Sequence, residues 1–577
     1  MVRLGEYIFV LMLLLIPKVL YGKIASAPGV LYVTPEMYGA KGDGKADDTK
    51  AIQSAINNSS GVPVIFSPRT YRISQTIRIP ANTILTGNRT KFENITPSLL
   101  SVISSENSEN IIIDGFEISF GASKTMDSKS RMFRDGVITL SGEKGCNNSV
   151  IRNCKIYGLN YNQAGIVLKG DHVEISKCEV YSGSGNRRNA GIVCGSYDHG
   201  VRTSIKNGGC NYASVHDCYV HDISIGNTPD ESGCGIYLLA CNYSSVYNCR
   251  VDNCNWVCIN SQSEECLPGG SHNAIYNNVL TLNSKEVYPP VDYIGPYCIY
   301  MERSSETMVF NNVMFCGYVT SKRFIPLQVS GGSSTCIIKD NKFVDAGSQN
   351  VYALVGADET VIYEHNECDF APPTYFFCYD SENPSLEVSY CTLSATEQII
   401  NYYRRTISAF KGYLTMRDCI MNAPKFNVNS SKDKLDWYFH NCEFTGNQFL
   451  FDYNEGNTYI NNCTFKNVQK IAEIRYGSGE KSIRNCRVEN GGLSKRSILW
   501  HIRGGNYSDI IIEKNEISFE QGVALRVEEG VQVENYDVAS NTIKVAKRPK
   551  DGLFEILNNK SDKLKINAIN SNKVVIQ

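Results

Sequence analysis

The sequence has no excess of charge of either sign: 57 Lys and Arg stand against 59 Asp and Glu, for a formal net charge of −2. A chain so balanced offers no electrostatic case for binding nucleic acid or an anionic membrane. Long hydrophobic runs are equally scarce. Ile8 to Leu20 is the single stretch apolar enough to suggest a bilayer, and the mean hydropathy of −0.24 argues against a polytopic membrane protein. That stretch follows Met1-Val2-Arg3 and is shorter than the roughly 20 residues a span requires. Residues 1–27 are therefore expected to be a signal peptide, cut near Gly22 or Ala27, with the mature chain secreted, periplasmic or held at the cell surface and free of the membrane. No cysteine lies in this segment, which argues against a lipid-anchored lipoprotein. Disorder is excluded by a hydrophobic fraction of 42%, enough for a large core.

Paired metal-binding cysteines are also missing. Among 22 cysteines, no Cys-x-x-Cys is matched by a second at finger-like spacing, so no zinc is expected. The cysteines instead mark a repeat. A short phrase ends at Cys154 (Val-Ile-Arg-Asn-Cys), and returns at Cys218, Cys249, Cys442, Cys463 and Cys486, with Asn in the cysteine slot at Asn278, Asn312, Asn341 and Asn515. A second phrase precedes it: Ala164-Gly-Ile-Val-Leu-Lys169, Ala190-Gly-Ile-Val-Cys194, Cys234-Gly-Ile-Tyr-Leu-Leu239, Val257-Cys-Ile-Asn-Ser-Gln262 and Tyr297-Cys-Ile-Tyr-Met-Glu302. Units of 20-odd residues rich in β-branched side chains cannot bury an apolar face alone and must stack. Successive strand side chains alternate faces, so Ile166 and Leu168 point one way and Val167 and Lys169 the other.

These observations predict an all-β chain, a parallel β-helix over residues 28–577 as one domain, its cap and first coils at 28–90, long-looped coils at 91–380 and regular coils beyond. The Asn before each Cys is expected to take the left-handed turn conformation and to stack its amide into a ladder. The cysteines are expected to form a column of packed thiols at Cys154, Cys178, Cys218, Cys249, Cys419, Cys442, Cys463 and Cys486. At the front, Thr49 to Ile56 has helical spacing, and Asp43, Asp47 and Asp48 read as capping and turn residues rather than metal ligands.

The run Gly42-Asp-Gly-Lys-Ala-Asp-Asp-Thr49, followed by the helix and two β-rich phrases to Gly87, resembles the pectate-lyase-like superfamily, with its rhamnogalacturonase, mannuronan-epimerase and phage-tailspike relatives. The resemblance implies a right-handed parallel β-helix with a short N-terminal helical cap, and a carbohydrate-active function.

Loop lengths point to the site. Insertions at 196–212, 221–233, 263–273 and 281–296 flank the Gly-Ile strands on both sides and make a groove, whereas the coils from about 419 to 486 shrink and read as scaffold. The groove floor, by alternation, holds Lys169, Tyr237, Asn260, Gln262, Tyr300 and Glu302; Tyr197, Asp198, His199, Arg202 and Arg303 lie near strand ends, and Trp256, Tyr288, Tyr293 and Tyr297 could stack on sugars.

Three chemistries compete for these residues. A lyase or C5-epimerase needs a cation on the uronate carboxylate and a base for the C5 proton. Lys169 and Arg202 would bind the carboxylate, with His199 and Tyr197 as base and acid and Asp198 orienting them. The set is similar to the lysine, tyrosine, aspartate and histidine of mannuronan epimerases, but lacks the proline between Asp and His. A glycoside hydrolase needs two carboxyls, here Glu302 with Glu264 or Glu265. The polygalacturonase-like Asp-Asp pair and Gly-His-Gly motif are absent. The third reading is a polysaccharide-binding β-helix without turnover. Tyr237, Trp256, Asn260, Gln262, Tyr300 and Arg303 serve substrate binding in all three. Ca²⁺ bridging substrate and carboxylates is the one cofactor left open, the partner is an acidic polysaccharide, and the expected state is a monomer. His216, His221, His440 and His501 read as surface histidines.

Overall fold

A computed structural model gives the architecture. It describes residues 32–576 apart from 97, 122–134, 160–162, 182–188, 197–207, 224–232, 255, 264–269, 283–296, 317–324, 331–332, 334, 346–350, 356–359, 370–373, 379–384, 395–410, 423–425, 430–433, 447–448, 453–454, 493–497, 547–552 and 557–570.

The chain winds as a right-handed parallel β-helix. A coil contains three strands, as in Ala164–Leu168, Glu174–Ser176 and Glu179–Tyr181, each hydrogen-bonded in parallel to its counterpart in the next coil. First strands form an 11-stranded sheet from Ile77–Arg78 to Thr374–Cys378, and further parallel strands continue the stack to Lys573–Ile576. The helix Thr49–Asn57 covers the front end, burying Ile52, Ala55 and Ile56. Asp48, at its N-cap, does not cap it. Its carboxylate accepts from the backbone N–H of Lys41 (2.7 Å) and Gly42 (3.1 Å), while Asp47 takes the Thr49 N–H (3.0 Å), so these acids order the turn.

The predicted alternation sets the register. Ile138, Ile166, Ile192, Ile236, Ile259, Ile299 and Leu327 align coil on coil and are fully buried. Burying each such side chain contributes about 2 kcal/mol. Glycine in the Gly-Ile phrase has a packing reason: a Cβ on Gly191 would sit 2.3 Å from Val220 Cγ1. At this coil the slot admits no side chain, whereas Cys258 and Cys298 occupy it in later coils.

The cysteine slot is one inward column. The eight cysteines expected there are buried free thiols, and burial pushes the Cys249 and Cys463 thiols up. Between the two thiol segments, and again at the C-terminal end, asparagine takes the slot. The turn residues before it are left-handed as expected, with φ between 52° and 55° at Asn153, Asn248, Asn441, Asn462 and Asn485. The long amide ladder, however, is not at the turn. It runs one residue later, through Asn278, Asn312, Asn341 and Asn366 (Nδ2 to Oδ1 at 2.9, 2.9 and 3.0 Å) and through Asn515, Asn541 and Asn572 (2.9 and 2.8 Å). Turn amides face water, which competes for their hydrogen bonds; slot amides are buried and must pair with each other and with carbonyls such as Val246 O (3.0 Å from Asn278).

Candidate functional site

On the outer face of the first-strand sheet a second apolar cluster lies apart from the main core: Ala164, Val167, Ala190, Val193, Tyr237, Val257 and Tyr297, with Trp256 and Tyr300 packed on it. Alternation places these side chains outward, yet Tyr237 is only 2% exposed. The expected open trough is therefore covered over its first coils. The outward column, read by register, runs Val167, Val193, Tyr237, Asn260, Tyr300, Gln328, so it changes from apolar to polar along the axis.

Six predicted residues meet at that change. The Tyr237 hydroxyl donates to Gln262 Oε1 at 2.6 Å, and Asn260 Nδ2 donates to the same oxygen at 3.2 Å. Gln262 Nε2 then donates to Glu302 Oε2 at 2.8 Å, which also accepts the Tyr300 hydroxyl at 2.9 Å. Arg303 closes the array with an amino group 3.9 Å from Glu302 Oε1. Its φ of 48° turns the chain immediately after the carboxylate, ending the strand Tyr297–Glu302. Trp256, Tyr297 and Tyr300 form one aromatic cluster with ring centroids 5.0 to 6.3 Å apart. Three buried polar atoms around it have no hydrogen-bond partner: Trp256 Nε1, Asn260 Oδ1 and Gln328 Oε1. Buried polar groups in folded proteins are nearly always paired, so these three atoms mark a polar, incompletely satisfied layer beneath the array. A carboxylate held by two neutral donors and flanked by a guanidinium can orient a hydroxyl, accept a proton or attack an anomeric carbon.

Lys169 lies elsewhere. The register that aligns Leu168 with Cys194, Leu238, Ser261 and Met301 puts it four coils, about 19 Å at ~4.8 Å per coil, from Glu302. It is buried rather than open on the groove floor, with Nζ donating to the Glu143 carbonyl at 3.1 Å, and that burial lowers its pKa. Lys169 and Glu302 cannot serve one sugar ring. Tyr197, Asp198, His199, Arg202, Glu264, Glu265, Tyr288 and Tyr293 lie outside the described residues. Among the described residues no three His, Cys, Asp or Glu side chains gather as a metal site.

Two features escaped sequence reasoning. His501 is not at the surface: it is buried, bonded through Nε2 to Glu528 (2.7 Å), and burial lowers its pKa. Its neighbour in the adjacent coil, Glu473, is 3% exposed; burial alone would raise its pKa, but Lys470, Arg475 and Arg503 outweigh that and hold it at about 2. The signal was present as charged alternation, Glu473-x-Arg475 beneath His501-x-Arg503. The second is stacking along the coils: His216, Tyr247, Tyr276 and Phe310 form a ladder of rings 4.8 to 4.9 Å apart. Burial lowers the His216 pKa, but the Glu174 and Asp217 carboxylates outweigh it and the net shift is upward.

Residues 36–259 match a family model described as Rhamnogalacturonase A/epimerase, pectate lyase-like. That segment is similar to the pectate-lyase-like family. The Preneck appendage protein of Bacillus phage PZA is 28% identical over 218 residues, covering 33% of this chain and 23% of that protein. A capsule K30/K69-specific depolymerase of Klebsiella phage K5-2 is 46% identical over 59 residues, 10% of this chain and 7% of that one. The crystal structure of the pre-mature bacteriophage phi29 gene product 12 superposes with a TM-score of 0.48 at 14% identity, covering 85% of this chain and 73% of the other. The chain thus matches about a quarter of the length of the first of these relatives. The matched family segment contains Lys169, Tyr237 and Trp256 and stops one residue before Asn260, so the Glu302 end of the array lies beyond it. Among the described residues, no helix is long and apolar enough to cross a membrane.

Proposed function

We propose that this is an exported, carbohydrate-active protein that binds an acidic polysaccharide along the first-strand groove and breaks the chain at Glu302. The observation that carries the reading is the convergence of Glu302, Gln262, Tyr300 and Arg303 beside a cluster of three aromatic rings. Sugar recognition needs this combination of ring faces and fixed amides. The pectate-lyase-like match and the capsule depolymerase relative support a polysaccharide as the ligand. In hydrolysis, water adds to the anomeric carbon, the glycosidic C–O bond breaks and a second carboxyl protonates the leaving oxygen. Glu302 is the nucleophile or base in this scheme, and Glu264 or Glu265 the acid.

One observation favours a second reading. A buried lysine with a lowered pKa, as at Lys169, is suited to take a C5 proton in β-elimination or epimerisation, with Arg202 as the candidate for the uronate carboxylate and Tyr197, Asp198 and His199 as the further candidates for acid, base and orienting group. The two readings separate in one assay. Polyuronides are incubated with the protein, and both new reducing ends and the ultraviolet absorbance of unsaturated uronate are followed. Reducing ends without absorbance, lost in Glu302→Gln by about a thousandfold or more, are the expected result. Unsaturated product that survives Glu302→Gln and disappears in Lys169→Ala would replace the first reading with the second.

A further inference from the structure

The coils between residues 411 and 461, which run into the stretch from about 419 to 486 expected to be plain scaffold, carry a ring-sized gap. In the second-strand sheet, Lys411–Arg417, Lys434–His440 and Thr458–Asn461 are adjacent, and their outward side chains fall into aligned columns. Tyr438 and Tyr459 stack at 5.2 Å with planes 14° apart. The next rung of that column is Thr415, followed by Glu387, so the stack ends and one face of Tyr438 stays open. Tyr438 is 37% exposed. The opening is part of a concavity of about 470 Å³ lined by Tyr413, Arg417, Tyr438, His440, Tyr459 and Asn461.

We propose that this vacant rung is a second glycan-binding subsite, which holds one pyranose ring of an acidic polysaccharide against Tyr438, its carboxylate turned toward Arg417 and His440. The coil spacing of about 4.8 Å is also the distance at which flat rings stack, so a sugar above Thr415 continues the ladder where protein side chains stop. The charge is matched as well. The side chains of Arg417 and His440 make no hydrogen bond or ion pair with any described side chain, whereas those of His216, His221, His272 and His501 each face a carboxylate. On the far side of the gap Glu387 accepts the Tyr413 hydroxyl at 3.2 Å, which leaves a carboxylate oxygen for sugar hydroxyls and fixes the direction of the ring, acid group away from it. The subsite lies on a different sheet from Glu302, so one long chain could be held at two points, raising its effective concentration at the groove.

The ligand class rests on the polysaccharide reading above; the subsite itself rests on the gap. The test uses the full chain carrying Glu302→Gln, so that nothing is consumed, titrated by calorimetry with galacturonan and alginate oligosaccharides and with a neutral glucan. Acidic oligosaccharides should show a binding step that Thr415→Tyr, which fills the rung, and Arg417→Ala each weaken by about tenfold or more, with the thermal midpoint of Thr415→Tyr unchanged. Acidic binding untouched by both variants, no binding of any acidic probe, or equal binding of the neutral glucan would overturn the proposal. The groove reading fails by a different result, polysaccharide turnover that persists in Glu302→Gln, and that result leaves the subsite standing.

Discussion

Replacing Asn312 by alanine tests whether the buried amide ladder stabilises the middle coils. Asn312 Nδ2 donates to Asn341 Oδ1 (2.9 Å) and to the Ile275 carbonyl (2.9 Å); its Oδ1 accepts the Asn278 backbone N–H (3.0 Å) and Asn278 Nδ2 (2.9 Å). Alanine removes these four bonds, and a fifth from Nδ2 to the Phe310 carbonyl (3.1 Å), in a site where Asn312 is 1% exposed. The Asn278 N–H loses its partner outright, while Asn278 Nδ2 keeps Val246 O and Asn341 Oδ1 keeps the backbone N–H of residue 312 (3.0 Å). At about 1–3 kcal/mol for each buried group left unpaired, the loss is on the order of 4 kcal/mol. Asn312→Cys should recover part of it, because thiols in the same slot donate to the equivalent carbonyls, as Cys249 Sγ does to Val215 O at 3.8 Å. Repeat proteins need not unfold in one step, so the readout is local: hydrogen exchange at Asn278, with denaturant melting beside it. The amide of Asn278 should exchange at least about a hundredfold faster in Asn312→Ala. Protection unchanged in Asn312→Ala, or Asn312→Cys exchanging as fast as Asn312→Ala, would refute the reasoning.

Other consequences follow from single side chains. Lys481 is 3% exposed and desolvation lowers its pKa to about 7, against an unfolded value of 10.5. Its folded form releases the proton more readily, so stability should rise with pH between about 7 and 10.5 and be lost below that window; melting midpoints that do not increase over this range, relative to Lys481→Met, would contradict the burial. Gly191→Ala should destabilise the coil by about 2 kcal/mol or more, since the new methyl group meets Val220 Cγ1 and the Gly235 carbonyl, and a melt within error of the parent would show that the strand shifts freely.

Much of this protein was readable from residue order. The phrase spacing gave the coil, the β-branched alternation placed Ile166 and Leu168 inside and Val167 outside, and the Asn-Cys phrase marked a left-handed turn followed by an inward slot. Tyr237, Asn260, Gln262, Tyr300, Glu302 and Arg303 could be grouped because each occupies the same two or three outward positions of successive coils. These are local properties, fixed by which way a side chain points along a strand.

Which outward residues are covered, and which hydrogen bonds cross from coil to coil, had to come from the folded chain. Lys169 and Tyr237 are buried at outward positions, and no periodicity within their own strands encodes that burial. The long amide ladder sits in the slot, while the turn keeps single rungs such as Asn311 to Asn277 (2.6 Å), because burial forces every slot amide to pair. His501 meets Glu528 across 27 residues of sequence, and Tyr438 ends an aromatic stack because Thr415 lies beneath it. The sequence determined the winding and the two faces of each strand; the stacking of coils, by setting which residues share a rung and which lie under a loop, decided where an open, charged and aromatic surface is left for a ligand.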